Sequence, residues 1–221
     1  MKNEDMKKVA LIGATGFVGS AILHELTERN YTVTAIARDV QKIKSAPNVI
    51  AVQADAREHT ALTAAIKGND IVVSAFNSGW SNPSIYDDYL AGGRSIINAI
   101  KEAGIERALF IGGAGSLEVD GEKLVDAEDF PEDIKQGAKA ASDYLEIVKR
   151  EHDLDWTFFS PAIEMNAENS GTRTGNYRTD LDSPVLDNEG RSRLSVEDLA
   201  VAVADELEDR KFIKKRFTAG Y

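Results

Sequence analysis

Three glycines, each separated from the next by two residues, stand near the start of the chain at Gly13, Gly16 and Gly19. The apolar run from Val9 to Ile12 predicts a buried strand before them, and a helix should begin near Gly16. Gly13 would allow a tight turn, Gly16 would leave room for a pyrophosphate, and Gly19 would let the helix pack closely on the strand. Backbone N–H groups around Thr15 to Val18 would then face the phosphates at the positive end of the helix dipole. The spacing therefore predicts a dinucleotide-binding loop.

The end of the second predicted strand, Tyr31 to Ala35, is the next informative position, because a dinucleotide-binding sheet meets the adenosine ribose there. Ala37, Arg38 and Asp39 follow that strand. An arginine in this place can pair with a 2′-phosphate, so Arg38 favours NADP. Asp39 could instead bind a ribose 2′-hydroxyl, which leaves NAD open, and Arg38 could be an ordinary surface cation.

Two further strand ends should border the cofactor. Asp55 follows the predicted strand Asn48 to Gln53 and could accept a hydrogen bond from the adenine amino group. It could equally cap the helix predicted from Glu58 to Lys67. The segment from Phe76 to Gly79 follows the apolar strand Ile71 to Ala75 and should pass beside the phosphate and ribose of the cofactor.

Composition excludes several classes of function. The net charge of -11 argues against a nucleic-acid partner or an anionic membrane surface, since both require a basic face. The absence of cysteine excludes disulfides, thiolate nucleophiles and cysteine metal sites, and no metal site is expected. The acidic start, Met1 to Asp5, does not fit a signal peptide, and no apolar run approaches transmembrane length. The expected location is the cytoplasm.

Strands and helices alternate along the chain, which predicts an α/β fold: a Rossmann-type doubly wound parallel sheet flanked by helices, in one domain of residues 1–221. The irregular segments 112–133 and 160–194 each follow a strand and should wall the substrate pocket, with residues from about 160 to 194 forming a small loop-rich lobe. Residues 117–131 suggest an acidic loop, and Phe217 to Tyr221 a last strand that closes the sheet. The other elements predicted after the fourth strand are a helix ended by Gly104, the strand Arg107 to Ile111, the helix Ile134 to Arg150, the strand Trp156 to Phe159, a short strand near Asn176 to Thr179, and the helix Leu199 to Leu207.

Four motifs together resemble one family. They are Gly-Ala-Thr-Gly-Phe-Val-Gly at 13–19, Ala-Arg-Asp at 37–39, Gly-Gly-Ala-Gly-Ser-Leu at 112–117 and Leu-Ser-Val-Glu-Asp-Leu-Ala at 194–200. Over nearly its whole length the chain is similar to the atypical short-chain dehydrogenase/reductases. Within them it most resembles the NAD(P)H–flavin reductase branch, related to biliverdin reductase B and NmrA-like proteins. The resemblance implies a fold and a nicotinamide cofactor, but not a particular substrate.

The chain departs from this family where standard members carry a Tyr-x-x-x-Lys pair and a serine. Lys139 matches the lysine, which puts Lys135 where the tyrosine should be. Tyr144 has the wrong spacing, and Ala114 stands near the serine position, with Ser116 two residues on. The resemblance therefore implies that the usual proton donor is absent. Ser116 and Lys139 stay as catalytic candidates; Lys139 would contact the nicotinamide ribose or be a surface lysine.

The loop, the strand ends and the resemblance together define the expected cofactor contacts. These are Gly13, Thr15, Gly16, Phe17, Val18, Arg38, Asp55, Ala56, Ala75, Phe76, Asn77, Gly113, Ala114, Lys139, Pro161 and Ala162.

Two functions fit these observations. The first is an NADP-dependent reductase of a flavin, quinone or similar planar acceptor, with NAD as an alternative cofactor and FMN or FAD as a substrate, not a bound prosthetic group. Such a ring spreads the charge of an incoming hydride and can take its proton from water. The second is a non-catalytic NADP-binding sensor of the NmrA type. An epimerase or sugar dehydratase would need the missing tyrosine. The expected partner is a small planar molecule, and the protein should be a monomer or weak homo-oligomer.

Overall fold

Short apolar runs form the strands of this protein, and the segments between them form its helices. The computed structural model describes residues 7–167 and 170–221. In those residues the strands are β1 Lys8–Ile12, β2 Thr32–Ala37, β3 Val49–Gln53, β4 Ile71–Ser74, β5 Arg107–Ile111, β6 Glu118–Val119, β7 Glu122–Lys123, β8 Asp155–Phe159, β9 Arg178–Asp180 and β10 Lys215–Gly220. The α-helices there are α1 Phe17–Glu28, α2 His59–Ile66, α3 Ile85–Glu102, α4 Glu132–Val148 and α5 Val196–Asp209.

Within the described residues, eight strands form one sheet in the order β3-β2-β1-β4-β5-β8-β10-β9. All neighbouring pairs in it are parallel except β10 with β9. Helices α1 and α5 pack on one face, and α2, α3 and α4 pack on the other. The order reverses between β1 and β4, which opens a crevice at the carboxyl ends of the strands. The protein has a Rossmann-like α/β fold, which confirms the predicted fold class.

The last strand does not close the sheet, contrary to the prediction. β10 lies between β8 and β9, and its residues Thr218 to Gly220 pair antiparallel with Arg178 to Asp180 of β9. The short strand predicted near Asn176 to Thr179 therefore exists, slightly displaced along the chain. An uncovered β10 would present a row of unpaired amides, and the three residues of β9 cover part of that row.

The sequence predicts an acidic loop over residues 117–131, but this segment is partly ordered as secondary structure. It contains an antiparallel hairpin of β6 and β7, in which Glu118 faces Lys123 and Val119 faces Glu122. The two turn residues, Asp120 and Gly121, have φ values of 53° and 85°. An Asp-Gly pair with positive φ at both positions is the preferred two-residue connection of a hairpin. The Asp-Gly pair is therefore the local sequence signal for this hairpin.

Two glycines hold the first helix against the first strand. Gly13 has φ of 80°, and a Cβ atom placed on it would lie 2.6 Å from the carbonyl oxygen of Ala75. A Cβ atom on Gly19 would lie 2.0 Å from the carbonyl oxygen of Gly13. The start of α1 therefore approaches the turn after β1 more closely than any other residue would allow.

This contact predicts a difference between Gly19 and Gly16. Gly19→Ala should lower the free energy of unfolding by about 1–3 kcal/mol, because the helix must move away from the turn. Gly16→Ala is the matched control, since its added Cβ would have its nearest neighbour at 3.4 Å. The free energy of unfolding of this control should fall by less than about 1 kcal/mol, because Gly16 is the N-cap of α1 and only the cap residue changes. Urea denaturation followed by circular dichroism measures both, and equal losses would contradict the prediction.

Candidate functional site

A cleft of about 460 Å³ opens at the carboxyl edge of the sheet, beside the ends of β1, β2, β3 and β4. Nine of the residues expected to contact a cofactor line this cleft: Gly13, Thr15, Gly16, Arg38, Asp55, Ala56, Ala75, Phe76 and Asn77. They come from four separate segments of the chain. Parallel strands bring these segments together because all four strands end at the same edge.

The loop between β1 and α1 supplies unpaired hydrogen-bond donors to the cleft. The N–H groups of Gly13 and Ala14 donate to the carbonyl of Ile36, at 3.0 and 3.2 Å, and the N–H of Gly16 donates to Gly13 at 3.0 Å. The N–H groups of Thr15, Phe17 and Val18 have no such partner within the described residues. Unpaired amides at a helix N-terminus bind phosphate well. The loop therefore fits a pyrophosphate.

Two arginines and two carboxylates line the far end of the cleft. The Arg57 side chain binds Asp55 through two nitrogen–oxygen contacts of 3.3 and 3.1 Å and approaches Asp88 at 3.7 Å. The Arg57 guanidinium lowers the pKa of the Asp55 carboxyl, and the charge of Arg38 adds to this effect. Arg38 lines the cleft and has no carboxylate within ion-pair distance in the part of the chain that is described. A free guanidinium is thus available to an anionic ligand.

The alternative role for Asp55, as a helix cap, is wrong. α2 begins at His59, its capping position is Glu58, and no side chain caps it. The carboxylate of Asp55 instead accepts the N–H of Arg57 at 2.9 Å and binds the side chain of the same arginine. Its oxygens therefore lie on the cleft and away from the start of the helix.

The segment after β4 forms one wall of the cleft. A Cβ atom on Gly92 would lie 2.4 Å from the ring of Phe76, and one on Gly93 would lie 2.5 Å from the ring of Tyr144. The two glycines of α3 therefore make room for aromatic side chains. The atoms nearest to these added Cβ positions belong to the two rings.

Seven of the expected contacts lie outside the lining of the cleft: Phe17, Val18, Gly113, Ala114, Lys139, Pro161 and Ala162. Phe17 and Val18 begin α1 beside it. Gly113 and Ala114 follow β5, and Pro161 and Ala162 follow β8, so both pairs lie at the same edge of the sheet. Lys139 is exposed on α4 and has no hydrogen-bond or ion-pair partner among the described residues.

The hydroxyl groups nearest to the family's catalytic positions are buried and occupied. Ser116 is fully buried, and its Oγ donates to the carbonyl of Gly113 at 2.9 Å and lies 2.9 Å from Oγ of Ser160. The phenol of Tyr144 donates to the carbonyl of Gly93 at 3.1 Å. Its ring packs edge-on against Phe110, and burial raises the pKa of its hydroxyl. Neither hydroxyl reaches the cleft.

Sequence reasoning missed three polar residues that line the cleft: Arg57, Asn82 and Asp88. Arg57 could have been found, because it stands two residues after Asp55 at a predicted strand end. Asp88 belongs to α3, and no local pattern indicates that its carboxylate faces a residue after β3.

The family model for NAD(P)H-binding proteins matches residues 13–209. The chain belongs to this NAD(P)H-binding family. It is 36% identical over 214 residues to the uncharacterized protein YwnB of Bacillus subtilis (strain 168), covering 96% of this chain and 97% of that protein. The family match and the cleft at the carboxyl edge of the sheet both indicate that the protein binds a nicotinamide cofactor.

Two solved structures are similar in sequence as well as in fold. The structure of a "putative epimerase" from Bacteroides thetaiotaomicron is 43% identical, covers 98% of each chain and gives a TM-score of 0.90. That of a "putative NADH-flavin reductase" from Streptococcus pneumoniae TIGR4 is 33% identical, covers 97% of this chain and 99% of the other, and gives a TM-score of 0.80. These relatives share one fold, and their names point to different reactions.

The cleft predicts a selective effect of bulk at Gly16. Gly16→Val should abolish NADP⁺ binding, because the branched side chain would occupy the space above the free amides. Isothermal titration calorimetry measures the affinity, and circular dichroism checks that the fold is kept. Ser20→Val places the same bulk on the exposed side of α1 one turn further along and should bind normally. Unchanged affinity in Gly16→Val would mean that the cofactor binds elsewhere.

Proposed function

We propose that this protein is an NADPH-dependent reductase of a flavin, quinone or similar planar acceptor, and that it supplies no proton from a side chain. The proposal depends on two features found together: a glycine loop with free amides, and candidate donor hydroxyls that are buried and already hydrogen-bonded to carbonyl groups. Ser116 and Tyr144 are the residues nearest to the family's donor positions, and both bind carbonyl groups inside the protein.

The residues of the cleft fit the proposed cofactor. The free amides of Thr15, Phe17 and Val18 would hold the pyrophosphate, and Arg38 would pair with the 2′-phosphate. Asp55 would accept from the adenine amino group, and Lys139 would reach the nicotinamide ribose. When bound, NADPH supplies the hydride that the reaction requires.

The lack of a side-chain proton donor favours one chemical class of hydride acceptor. Reduction of an isolated carbonyl develops an alkoxide, so a positioned acid normally lowers the barrier. A conjugated ring spreads the same charge, and water can deliver the proton later. The protein would then need only to hold two rings in contact and to exclude competing molecules. Its walls would be the segments 112–117 and 160–163, which follow neighbouring strands.

The relative named as an epimerase suggests an acid–base reaction as an alternative. Such chemistry in this family needs a tyrosine four residues before Lys139. Lys135 stands there, and its ammonium group binds Glu132 at 2.9 Å. This ion pair weighs against an epimerase. A sensor that binds NADP without turnover is the second candidate, because the buried hydroxyls suit it equally.

The proposal includes a cytoplasmic location, a single domain, and a monomer or weak homo-oligomer. The net charge of -11 weighs against a nucleic-acid or anionic membrane partner. None of the helices in residues 7–167 and 170–221 is long and apolar enough to cross a membrane.

Arg38 should distinguish the two nicotinamide cofactors. Arg38→Ala should weaken the binding of NADPH by about ten- to hundredfold and leave the binding of NADH unchanged. The reason is that a charge-assisted contact of this kind contributes roughly 1.5–3 kcal/mol. Lys42→Ala removes a nearby cation whose side chain is 71% exposed, and should change neither affinity. Calorimetric titration with both cofactors gives the ratio. An equal loss for NADPH and NADH in Arg38→Ala would exclude a role in discrimination.

Removal of the candidate hydroxyls should leave flavin reduction nearly intact. Loss of a true general acid costs about 10²–10⁴ in rate. Ser116→Ala and Tyr144→Phe should each cost far less than this in FMN turnover at saturating NADPH, and Lys139→Ala should mainly raise KM. A hundredfold drop for either hydroxyl variant, with NADPH affinity unchanged, would overturn the mechanism. Wild-type protein that turns over neither flavins nor quinones would favour the sensor.

A further inference from the structure

The indole of Trp80 lies exposed beside the cleft. Its exposure of 60% is the highest among the large apolar side chains in the described part of the chain. The ring is nevertheless held in place, because a Cβ atom on Gly137 of α4 would lie 2.6 Å from Cζ3 of Trp80. A glycine inside a helix lowers helix stability by about 1 kcal/mol relative to alanine. Here the missing side chain leaves room for the indole. The side of the ring away from α4 remains open.

The turn that carries Trp80 is fixed at both ends. The hydroxyl of Ser78 donates to the carbonyl of Ile85 at 3.0 Å, and the N–H of Gly79 donates to Oδ1 of Asn77 at 2.7 Å. The N–H of Asn82 closes the turn on the carbonyl of Gly79 at 3.0 Å. Asn77, Ser78 and Asn82 also line the cleft. A ring held this rigidly loses little conformational entropy when a ligand stacks on it.

Helix α4 contacts both Trp80 and the segment 112–117, which is proposed as a wall of the acceptor pocket. Ala138, the residue after Gly137, lies against the segment that follows β5, since a Cβ atom on Gly115 would be 3.1 Å from its side chain. Ile134 lies three residues before Gly137, on the same side of the helix, and is also exposed. The same helix thus carries two exposed or contacting apolar positions, Ile134 and the Trp80 contact at Gly137, and packs on the segment after β5 through Ala138.

We propose that the exposed face of Trp80 is the stacking surface for the planar ring of the acceptor. This inference rests on the proposed reductase function and names the residue that would select its substrate class. An indole presents a large, polarisable face on which a flat, conjugated ring can stack in an offset arrangement. Trp80 contacts Gly137 of α4, and the next residue of that helix, Ala138, packs on the segment that follows β5.

Intrinsic fluorescence tests the proposal directly, because the chain has two tryptophans and the other, Trp156, is only 4% exposed. FMN titrated into the protein with saturating NADP⁺ should quench Trp80 after correction for absorbance. Trp80→Phe keeps a ring, so it should bind FMN within about threefold of wild type in equilibrium dialysis while losing most of the quenching. Trp80→Ala should weaken FMN roughly tenfold and leave NADP⁺ affinity unchanged. Ile50→Ala, an exposed apolar residue on β3, is the matched control and should bind FMN normally.

Three results would overturn the stacking surface: no FMN binding to the wild type, equal FMN affinity in Trp80→Ala and wild type, or undiminished quenching in Trp80→Phe. The reductase proposal fails in a different way. FMN bound through Trp80 without oxidation of NADPH would support the surface and exclude the reaction. FMN turnover that is normal in Trp80→Ala would support the reaction and exclude the surface.

Discussion

The close approach of α1 to the turn after β1 is the constraint on which the site depends. Gly19 meets the carbonyl oxygen of Gly13, and Gly13 in turn meets the carbonyl oxygen of Ala75 at the end of β4. These contacts fix three things at once: the start of the helix, the turn with its free amides, and the wall formed after β4. Any side chain at either glycine would move the helix away from the sheet. The phosphate-binding geometry and the packing of the central strands therefore have the same physical origin.

Beyond β4, small residues and buried hydroxyls shape the same edge of the sheet after β5. The segment after β5 lies against α4 because Gly113 and Gly115 face the alanines of that helix. This packing turns Ser116 inward, where Ser160 and a carbonyl group satisfy its hydroxyl. Tyr144 is likewise used inside the protein, among aromatic rings and the glycines of α3. A site so arranged can orient its ligands, and it contributes few groups that could exchange a proton.

Charge at the cleft differs from the charge of the whole protein. The chain has a net charge of -11, yet Arg38 and Arg57 both face the end of the cleft where the adenosine would lie. Asp55 pairs with Arg57 and leaves Arg38 free of a carboxylate partner among the described residues. The unpaired guanidinium of Arg38 can attract a phosphate at short range because solvent screens more distant charges. Composition alone gives no indication of this local field.

The sequence by itself determined the fold, the position of the glycine loop after β1 and many of the residues that line the cleft beside β1 to β4. These features follow from local patterns: apolar runs, helical periodicity, and glycines at strand ends whose positions a parallel sheet brings together. Only the tertiary structure decided that β9 covers β10, that Asp88 faces Arg57, that Tyr144 and Ser116 bind internal carbonyls, and that Trp80 rests on Gly137. Each of these depends on which distant residue packs opposite. Neighbours along the chain constrain backbone conformation, whereas contacts between elements depend on volumes and hydrogen-bond partners supplied from elsewhere in the fold.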